Sequence, residues 1–394
     1  MQAFEYCVPT RIVFGKDSVE KLPEQLKKSG ASRVLVVYGG HSAKKSGLLD
    51  RVLALLGGAG VSYDTLGGVQ PNPHLGLARE GVKKAIAMDA QLILAIGGGS
   101  VIDTAKAIAH GKANPDIDIW DFWLGKKKVE KTTPVGVILT IPASGSETSD
   151  SAVLTNAEAG EKRGLNTPFN RPAFAILDPL LAATLPAHQV ACGVSDILMH
   201  TLDRYFNPFT DNDITDEIAE ALLRVVLRNG PAAVRDPHDE KAMSEIMWAG
   251  SLSHNGLTGL GGNKDFATHQ LGHALSEKFD VYHGDSLTAV WSSWARSVMD
   301  EDPARFARFA RNVWRVEEAD DTAAALAGIA KQESFFRSIG MPVRLSELSC
   351  GAQDEAGLED LASRCSFGKT RTIGTFRVLD YEKILAIYRR ANEA

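Results

Sequence analysis

The stretch that decides the fold is AIGGGSVIDTAKAIA, residues 95–109. Three glycines and a serine separate an apolar run from a run with helical spacing, which predicts a strand that turns tightly into a helix. Glycines let the backbone approach a phosphate closely, and the N–H groups and dipole of a helix start favour an anion. The residues predicted to hold this phosphate are Gly97, Gly98, Gly99 and Ser100. Because the spacing matches neither GxGxxG nor GxxxxGK[ST], a purely structural turn is the alternative.

The rest of the first half repeats this pattern of strand, turn and helix. Its other apolar runs are RVLVVY (33–38), VGVILTIP (135–142) and AFAILD (173–178). Their alternation with helical patterns predicts βαβ units and a mainly parallel sheet, which binds ligands at the carboxyl ends of its strands. A second polar turn, SGSET (144–148), follows one of these strands and could supply donors to the same anion.

The second half has helical spacing throughout. In ACGVSDILMHTLDRYF (191–206) and FATHQLGHALSEKF (266–279), apolar residues recur three and four apart. We therefore predict an α/β domain over residues 1–187 and an all-helical domain over residues 188–394.

Composition and charge limit the class of protein and partner. The chain has 394 residues, 44% of them hydrophobic, and a formal net charge of -6, so a nucleic acid or an anionic membrane surface has no electrostatic support as partner. The four cysteines are scattered without a CxxC pair, which predicts reduced thiols. Without a secretion signal or a long apolar run, we expect a cytoplasmic protein that acts on a small molecule.

The turn YGGHSAKKSG (38–47) bears on the type of nucleotide. In dinucleotide-binding folds an acidic residue commonly meets the adenosine ribose. Here glycines, a serine and two lysines stand instead, which suits the 2′-phosphate of NADP. The predicted contacts are Gly39, Gly40 and Ser42. Lys44 and Lys45 could add charge there or be solvated surface lysines.

Histidine spacing in the second half indicates a metal site. Asp196 and His200 lie four apart, as do His269 and His273, so each pair shares one face of a helix. Carboxylate and imidazole donors without thiolate fit Fe(II), Zn(II) or another divalent first-row metal. HQLGH lacks the glutamate of a zinc protease, which disfavours peptide hydrolysis. Spacing alone leaves open which histidines bind, because His283 is also near, and each could instead be a structural residue.

Several motifs together resemble the iron-containing, or group III, alcohol dehydrogenase family, in particular its NADPH-linked butanol dehydrogenase and aldehyde reductase branch. The resemblance covers nearly the whole chain. It rests, besides the turn at 38–47, on VPTRIVFG (8–15), PNP (71–73), GGGSVIDTAKAIA (97–109), PASGSETS (142–149), ILDP (176–179), GVSDILMHTLDRYF (193–206) and FATHQLGHALSEKFDVYHG (266–284). It implies an N-terminal α/β dinucleotide-binding domain like that of dehydroquinate synthase, followed by an all-α metal-binding domain.

The resemblance also assigns site residues. The metal ligands that it implies are Asp196, His200, His269 and His283. It leaves His273 beside the metal, as a catalytic group that either supports the ligands or relays a proton. The further coenzyme contacts that it implies are Asn72, Asp103, Thr140, Ser149 and Lys162. The sequence departs from the family at Asp203, where many relatives have glutamate, and at His41, where close relatives often have glycine.

The implied enzyme transfers a hydride between NADP(H), preferred over NAD(H), and a short-chain primary alcohol or aldehyde. It uses one divalent metal, Fe(II) or Zn(II). A homodimer is expected, because the apolar strand TRIVFG (10–15) could add to a partner's sheet. The alternatives are a metal-dependent hydrolase or lyase on the same fold, such as a dehydroquinate synthase-like enzyme, and, least favoured, a protein that only binds.

Overall fold

A computed structural model describes residues 2–209 and 211–393 and contains two compact units. One spans residues 7–184, and the other comprises residues 185–393 together with residues 2–6. The first unit is α/β and the second is helical, which confirms the predicted fold class. The strands, all in the first unit, are β1 Arg11–Phe14, β2 Arg33–Gly39, β3 Ser62–Val69, β4 Leu92–Gly97, β5 Val135–Leu139, β6 Ser151–Asn156, β7 Glu161–Asn166 and β8 Phe174–Leu177.

Six of these strands form one sheet in the order β1-β8-β5-β4-β2-β3. Every neighbouring pair in it is parallel, as the alternating pattern predicts. The central strands β4 and β5 are buried along their whole length, which explains their unbroken apolar sequences. Strands β6 and β7 form a separate antiparallel pair.

Helices connect the parallel strands of the α/β unit. The first three are α1 Leu22–Ser29, α2 Ser42–Lys45 and α3 Leu48–Gly58, and the next are α4 Leu75–Ala87, α5 Gly99–Ala113 and α6 Trp120–Trp123. Helix α5 follows β4 directly and is buried over most of its length. The predicted strand-to-helix turn at residues 97–100 is therefore confirmed.

The second unit is built from longer helices. They are α7 Ala187–Tyr205, α8 Asp213–Arg235, α9 Glu240–His254, α10 Ala267–Phe279, α11 His283–Val298, α12 Pro303–Trp314, α13 Asp321–Ser338, α14 Glu355–Cys365 and α15 Tyr381–Asn392. An aromatic cluster forms part of their core, where Phe206 stacks on Phe306 with 4.2 Å between ring centroids and lies 5.8 Å from Trp294. This core fixes the end of α7 against α11 and α12.

Over residues 2–209 and 211–393, the helices are all too short or too polar to cross a membrane. The four cysteines are free, in agreement with the predicted reduced thiols.

Candidate functional site

Helix α7 contributes the first two donors of the predicted metal site. Asp196 and His200 lie one turn apart on this helix and are almost fully buried. The Oδ1 atom of Asp196 lies 3.2 Å from Nδ1 of His200. The four-residue spacing therefore brings the two side chains together, as predicted.

Helices α10 and α11 bring two more imidazoles to the same oxygen. Nε2 of His269 lies 3.5 Å from Asp196 Oδ1, and Nε2 of His283 lies 3.6 Å from it. In a tetrahedral site with bonds of about 2.0–2.2 Å, neighbouring ligand atoms are roughly 3.3–3.6 Å apart. The separations around Asp196 thus match the size of a site for a small divalent ion.

Three of these donor atoms are buried without a hydrogen-bond partner in the described part of the chain: Asp196 Oδ1, His200 Nδ1 and His269 Nε2. Burying a polar atom without a partner costs about 1–3 kcal/mol. A bound cation would satisfy all three at once, because each can direct a lone pair to a common point. The donor set therefore fits a divalent metal.

Asp203 fixes the orientation of His269. Its Oδ2 lies 2.5 Å from His269 Nδ1, on the side of the ring opposite to Asp196. Burial alone would lower the pKa of His269, but the charges of Asp203 and Asp196 outweigh it and raise the pKa to about 9. A cation that binds Nε2 near neutral pH must therefore displace a proton from this ring.

Two residues that the spacing did not indicate enclose His200. His254, at the end of α9, stacks on it with 4.1 Å between ring centroids. The ring centroid of Phe266 lies 6.3 Å from that of His200, and the guanidinium carbon of Arg204 lies 4.8 Å above the ring of Phe266. Burial, followed by the charge of His254, holds the pKa of His200 well below its usual value. His200 is therefore neutral, which is the state in which imidazole binds a metal.

His273 lies beside the four donors and is only half-buried. Its ring centroid is 5.5 Å from that of His283 and 6.3 Å from that of His269.

The start of α10, which carries His269 and His273, is held by Asp265. This carboxylate accepts hydrogen bonds from the backbone N–H groups of Ala267, Thr375 and Phe376.

The glycine turn of the α/β unit is closely approached by a second loop. A Cβ atom on Gly98 would lie 2.9 Å from Cβ of Ile141, and one on Gly99 would collide with the Ser144 hydroxyl. Only glycine fits where the two loops touch. The predicted phosphate loop at Gly97–Ser100 and the SGSET turn therefore lie side by side at the start of α5.

Asp103 and Lys106, on α5, hold the SGSET turn against the helix that begins at the glycine turn. Asp103 accepts hydrogen bonds from Ser146 Oγ at 2.6 Å and from the Val153 N–H at 2.8 Å. Lys106 donates to Ser146 Oγ and to the carbonyl of Ser151. Burial lowers the pKa of Lys106 to about 8 and raises that of Asp103. Both carboxylate oxygens of Asp103 bind protein, so it shapes the turn from beneath.

The other predicted coenzyme residues lie on neighbouring segments of this unit. Lys162, on β7, donates to Asn72 Oδ1 at 2.8 Å, so two of them are in contact. Asn72 has a positive φ of 57°. Thr140, just after β5, donates its N–H to the carbonyl of Gly97, and buried Ser149 donates its hydroxyl to the carbonyl of Ser151.

A cavity of about 620 Å³ opens at the carboxyl ends of β2 and β3. It is lined by Tyr38, Gly40, His41, Lys44, Gly67, Gly68, Val69 and Gln70. Gly39 ends β2 and Ser42 begins α2, so both flank it. Among the described residues that line it, Lys44 carries a positive charge and there is no carboxylate.

Comparison with protein families gives two matches that together cover most of the chain. Residues 9–179 match the model of the iron-containing alcohol dehydrogenases. Residues 189–392 match the C-terminal part of the same family.

Full-length relatives agree with these matches. The chain is 36% identical to NADH-dependent butanol dehydrogenase A of Clostridium acetobutylicum, over 99% of this chain and 100% of that protein. It is 37% identical to the NADPH-dependent aldehyde reductase YqhD of Escherichia coli, over 88% and 89% of the two chains. The crystal structure of NADH-dependent butanol dehydrogenase A from Thermotoga maritima superposes with a TM-score of 0.95 at 32% identity, covering 100% of this chain and 99% of that one. The chain therefore belongs to the iron-containing alcohol dehydrogenase family and is an oxidoreductase of that type.

Proposed function

We propose that this enzyme transfers a hydride between NADP(H) and short-chain primary alcohols or aldehydes, and that it depends on one divalent metal. The observation that carries the proposal is the convergence of three imidazoles on Asp196 Oδ1, at 3.2 to 3.6 Å, from three separate helices. The names of the relatives support the substrate class, since they include butanol dehydrogenases and an aldehyde reductase.

The metal would be held by Asp196, His200, His269 and His283, and Fe(II) or Zn(II) suits these donors. When bound, the ion supplies Lewis-acid polarisation of the substrate oxygen. The side chain of His283 is 30% exposed, whereas the other three are 4–5% exposed. We infer that the substrate approaches from the side of His283.

The surrounding residues prepare this centre. Asp203 accepts the Nδ1 proton of His269 as a hydrogen bond, so that Nε2, once its own proton is displaced, presents its lone pair beside Asp196. His254 and Phe266 cover His200 and limit the access of water to it. The metal ligands therefore have one orientation before any substrate arrives.

His273 is proposed to carry the proton. Alcohol oxidation releases a hydride from carbon to the nicotinamide and a proton from the hydroxyl group, and reduction requires the reverse. His273 lies beside His269 and His283 and is half-buried, so it can exchange a proton with both the site and solvent. Imidazole titrates near neutral pH, which suits this role.

The coenzyme is proposed to bind along the carboxyl end of the sheet. Gly97–Ser100 and the adjoining turn would take the diphosphate, with Asp103 holding that turn, and Thr140 and Ser149 lie on the same loops. Lys162 and Asn72, joined by their hydrogen bond, would meet a ribose. Relatives differ in coenzyme, because the butanol dehydrogenases use NADH and the aldehyde reductase uses NADPH. The cavity at Gly40 and Lys44 supports NADP(H), since it offers a cation and no acid to a 2′-phosphate.

The test is a comparison of NADPH and NADH oxidation over a panel of short aldehydes, together with elemental analysis of the purified enzyme. We expect turnover with NADPH at a higher kcat/KM than with NADH, and at least about one divalent ion per chain. Metal-loaded protein that oxidises neither coenzyme with any aldehyde would contradict the proposal. Substrate loss without coenzyme oxidation would instead favour the hydrolase or lyase alternative, which family membership does not support.

We also propose that the enzyme is a cytoplasmic homodimer. Strand β1 is an edge strand that pairs with β8 on one side, so its other edge is suited to pairing with a second copy. The free cysteines are typical of a reducing compartment. Native mass measurement would test the dimer, and a monomer at micromolar concentration would contradict it.

A further inference from the structure

Helix α7 carries four possible metal ligands in one row, at intervals of four residues: His188, Cys192, Asp196 and His200. The last two belong to the site described above. The first two lie with Asp285, from the first turn of α11, in a second group that we call the distal cluster. The distal cluster thus consists of His188, Cys192 and Asp285, whose ligand atoms lie within 4.8 Å of one another.

The side chains of the distal cluster converge. His188 Nε2 lies 3.0 Å from Asp285 Oδ2 and 3.7 Å from Cys192 Sγ, and Sγ lies 3.9 Å from Asp285 Oδ1. A tetrahedral zinc site with one sulfur, one nitrogen and one oxygen donor has separations of roughly 3.3–3.6 Å, from Zn–S of about 2.3 Å and Zn–N and Zn–O of about 2.0–2.2 Å. The His188–Asp285 and His188–Cys192 separations each lie within about 0.3 Å of that range, and one oxygen of Asp285 lies within 4.8 Å of both other donor atoms.

Backbone packing fixes this arrangement. A Cβ atom on Gly284 would lie 2.6 Å from Cα of Cys192, so glycine allows the first turn of α11 to touch α7 there. Asp285 is the next residue and is thereby held against His188 and Cys192. The ring of Tyr282 meets that of His188 edge-on, with 5.4 Å between centroids. The cluster is therefore built by the contact of two helices and not by flexible side chains alone.

The geometry fits a metal site better than a catalytic triad. In a cysteine–histidine–aspartate relay, the acid binds one ring nitrogen and the thiol faces the other. Here the same nitrogen, His188 Nε2, is within reach of both Cys192 and Asp285. Burial, with the charges of Asp285 and Asp196, raises the pKa of the Cys192 thiol, which opposes a nucleophilic thiolate.

We propose that the distal cluster is a second metal site that binds one Zn²⁺ through Cys192, His188 and Asp285. The cation would replace the thiol proton, which is released to solvent. A set of thiolate, imidazole and carboxylate donors binds Zn²⁺ in preference to the harder cations Mg²⁺ and Ca²⁺. The proposed catalytic centre contains no sulfur donor, so the two sites differ in their donor chemistry.

The distal cluster also has an entry route and an open fourth position. The His188 side chain is 43% exposed, so a cation can reach the donors from solvent. His188 and Asp285 line a cavity of about 510 Å³ that also includes Tyr282 and Glu347. A water molecule or a small anion in this cavity would complete the coordination.

Cobalt substitution tests the proposal without an activity assay. Co²⁺ is added to the full-length enzyme after its catalytic centre has been loaded with Fe²⁺ in the absence of air, because Zn²⁺ would also fill the distal cluster. Thiolate bound to Co²⁺ gives a charge-transfer band in the near ultraviolet, which imidazole and carboxylate ligands do not give. We expect this band to saturate at about one Co²⁺ per chain, and excess Zn²⁺ to abolish it.

Matched variants assign the band to the distal cluster. Cys192→Ser should remove it, whereas Cys350→Ser, at another partly exposed thiol, should leave it unchanged. His188→Gln and Asp285→Asn should each weaken Co²⁺ binding by about tenfold or more. His188 is exposed enough for its variant to fold, and circular dichroism checks each protein. Absence of a saturable band in the wild type, its survival in Cys192→Ser, or unchanged affinity in His188→Gln would each overturn the proposal.

Discussion

Asp203→Asn would test how the metal site is held together. The substitution keeps the shape of the side chain but removes the charge that lies 2.5 Å from His269 Nδ1. A hydrogen bond to a charged group contributes about 1.5–3 kcal/mol, against about 0.5–1.5 kcal/mol for a neutral one. The loss of about 1–1.5 kcal/mol corresponds to roughly tenfold weaker metal binding, at the lower end of the 10–100-fold range for partners of metal-bound histidines.

The pH dependence of this effect has a definite sign. The charges of Asp203 and Asp196 raise the pKa of His269 to about 9, so near neutral pH the metal competes with a proton. Asp203→Asn weakens this competition because it lowers the pKa of His269. The difference in metal affinity between wild type and variant should therefore be largest above pH 9, where the ring is unprotonated in both, and should shrink as the pH falls towards 7.

The assay is competition for Zn²⁺ between the protein and a chelator of known affinity, at several pH values. Asp203→Glu is the matched control, because it keeps the charge and should recover most of the affinity. Equal affinities of wild type and Asp203→Asn above pH 9 would refute the argument that Asp203 supports the ligand. A difference that grows on acidification would refute the role of the proton.

Three further predictions concern the coenzyme, the proton and stability. Lys44→Gln should lower kcat/KM for NADPH by about tenfold and leave that for NADH nearly unchanged, whereas Lys45→Gln, next to it but outside the cavity, should affect neither; equal losses with both coenzymes would contradict the assignment. His273→Gln should lower kcat by about a hundredfold or more with the metal content unchanged, as measured by elemental analysis, and a loss of metal would argue against a proton relay. Burial lowers the pKa of His110 to about 4, so between pH 6.5 and 4 this residue binds more protons in the unfolded chain than in the folded one. The free energy of unfolding should therefore fall by about 3 kcal/mol as the pH decreases through that range. Urea titrations should show a shallower acid slope in His110→Gln, and an unchanged slope would refute the shift.

The sequence predicted the buried strands and the apolar edge strand β1, but not the polar strands β3 and β7. Strands β2, β4, β5 and β8 are apolar runs because both of their faces are covered. Strand β3 lies at a sheet edge with most of its first residues exposed, and β7 has the charged sequence EKRGLN. Neither has the apolar pattern by which strands are recognised.

Sequence spacing predicted the site contacts within one helix but not those between helices. Asp196 and His200 were paired correctly because one helix carries both. Spacing could not choose between His273 and His283, because the choice depends on where α11 packs against α7. The contacts of His254 and Asp203 depend on similar packing, and the sequence assigned no partner to His188, which is paired with Asp285.

Helix α7 fixes the spacing between the catalytic ligands and the distal cluster, because its 19 residues are continuous from Ala187 to Tyr205. One residue inserted after Gly193 would rotate everything downstream by about 100° and turn Asp196 and His200 away from their neighbours. His188 and Cys192 would keep their positions. The single turn of helix from Cys192 to Asp196 thus sets both the separation and the relative direction of the ligands that α7 gives to the two groups.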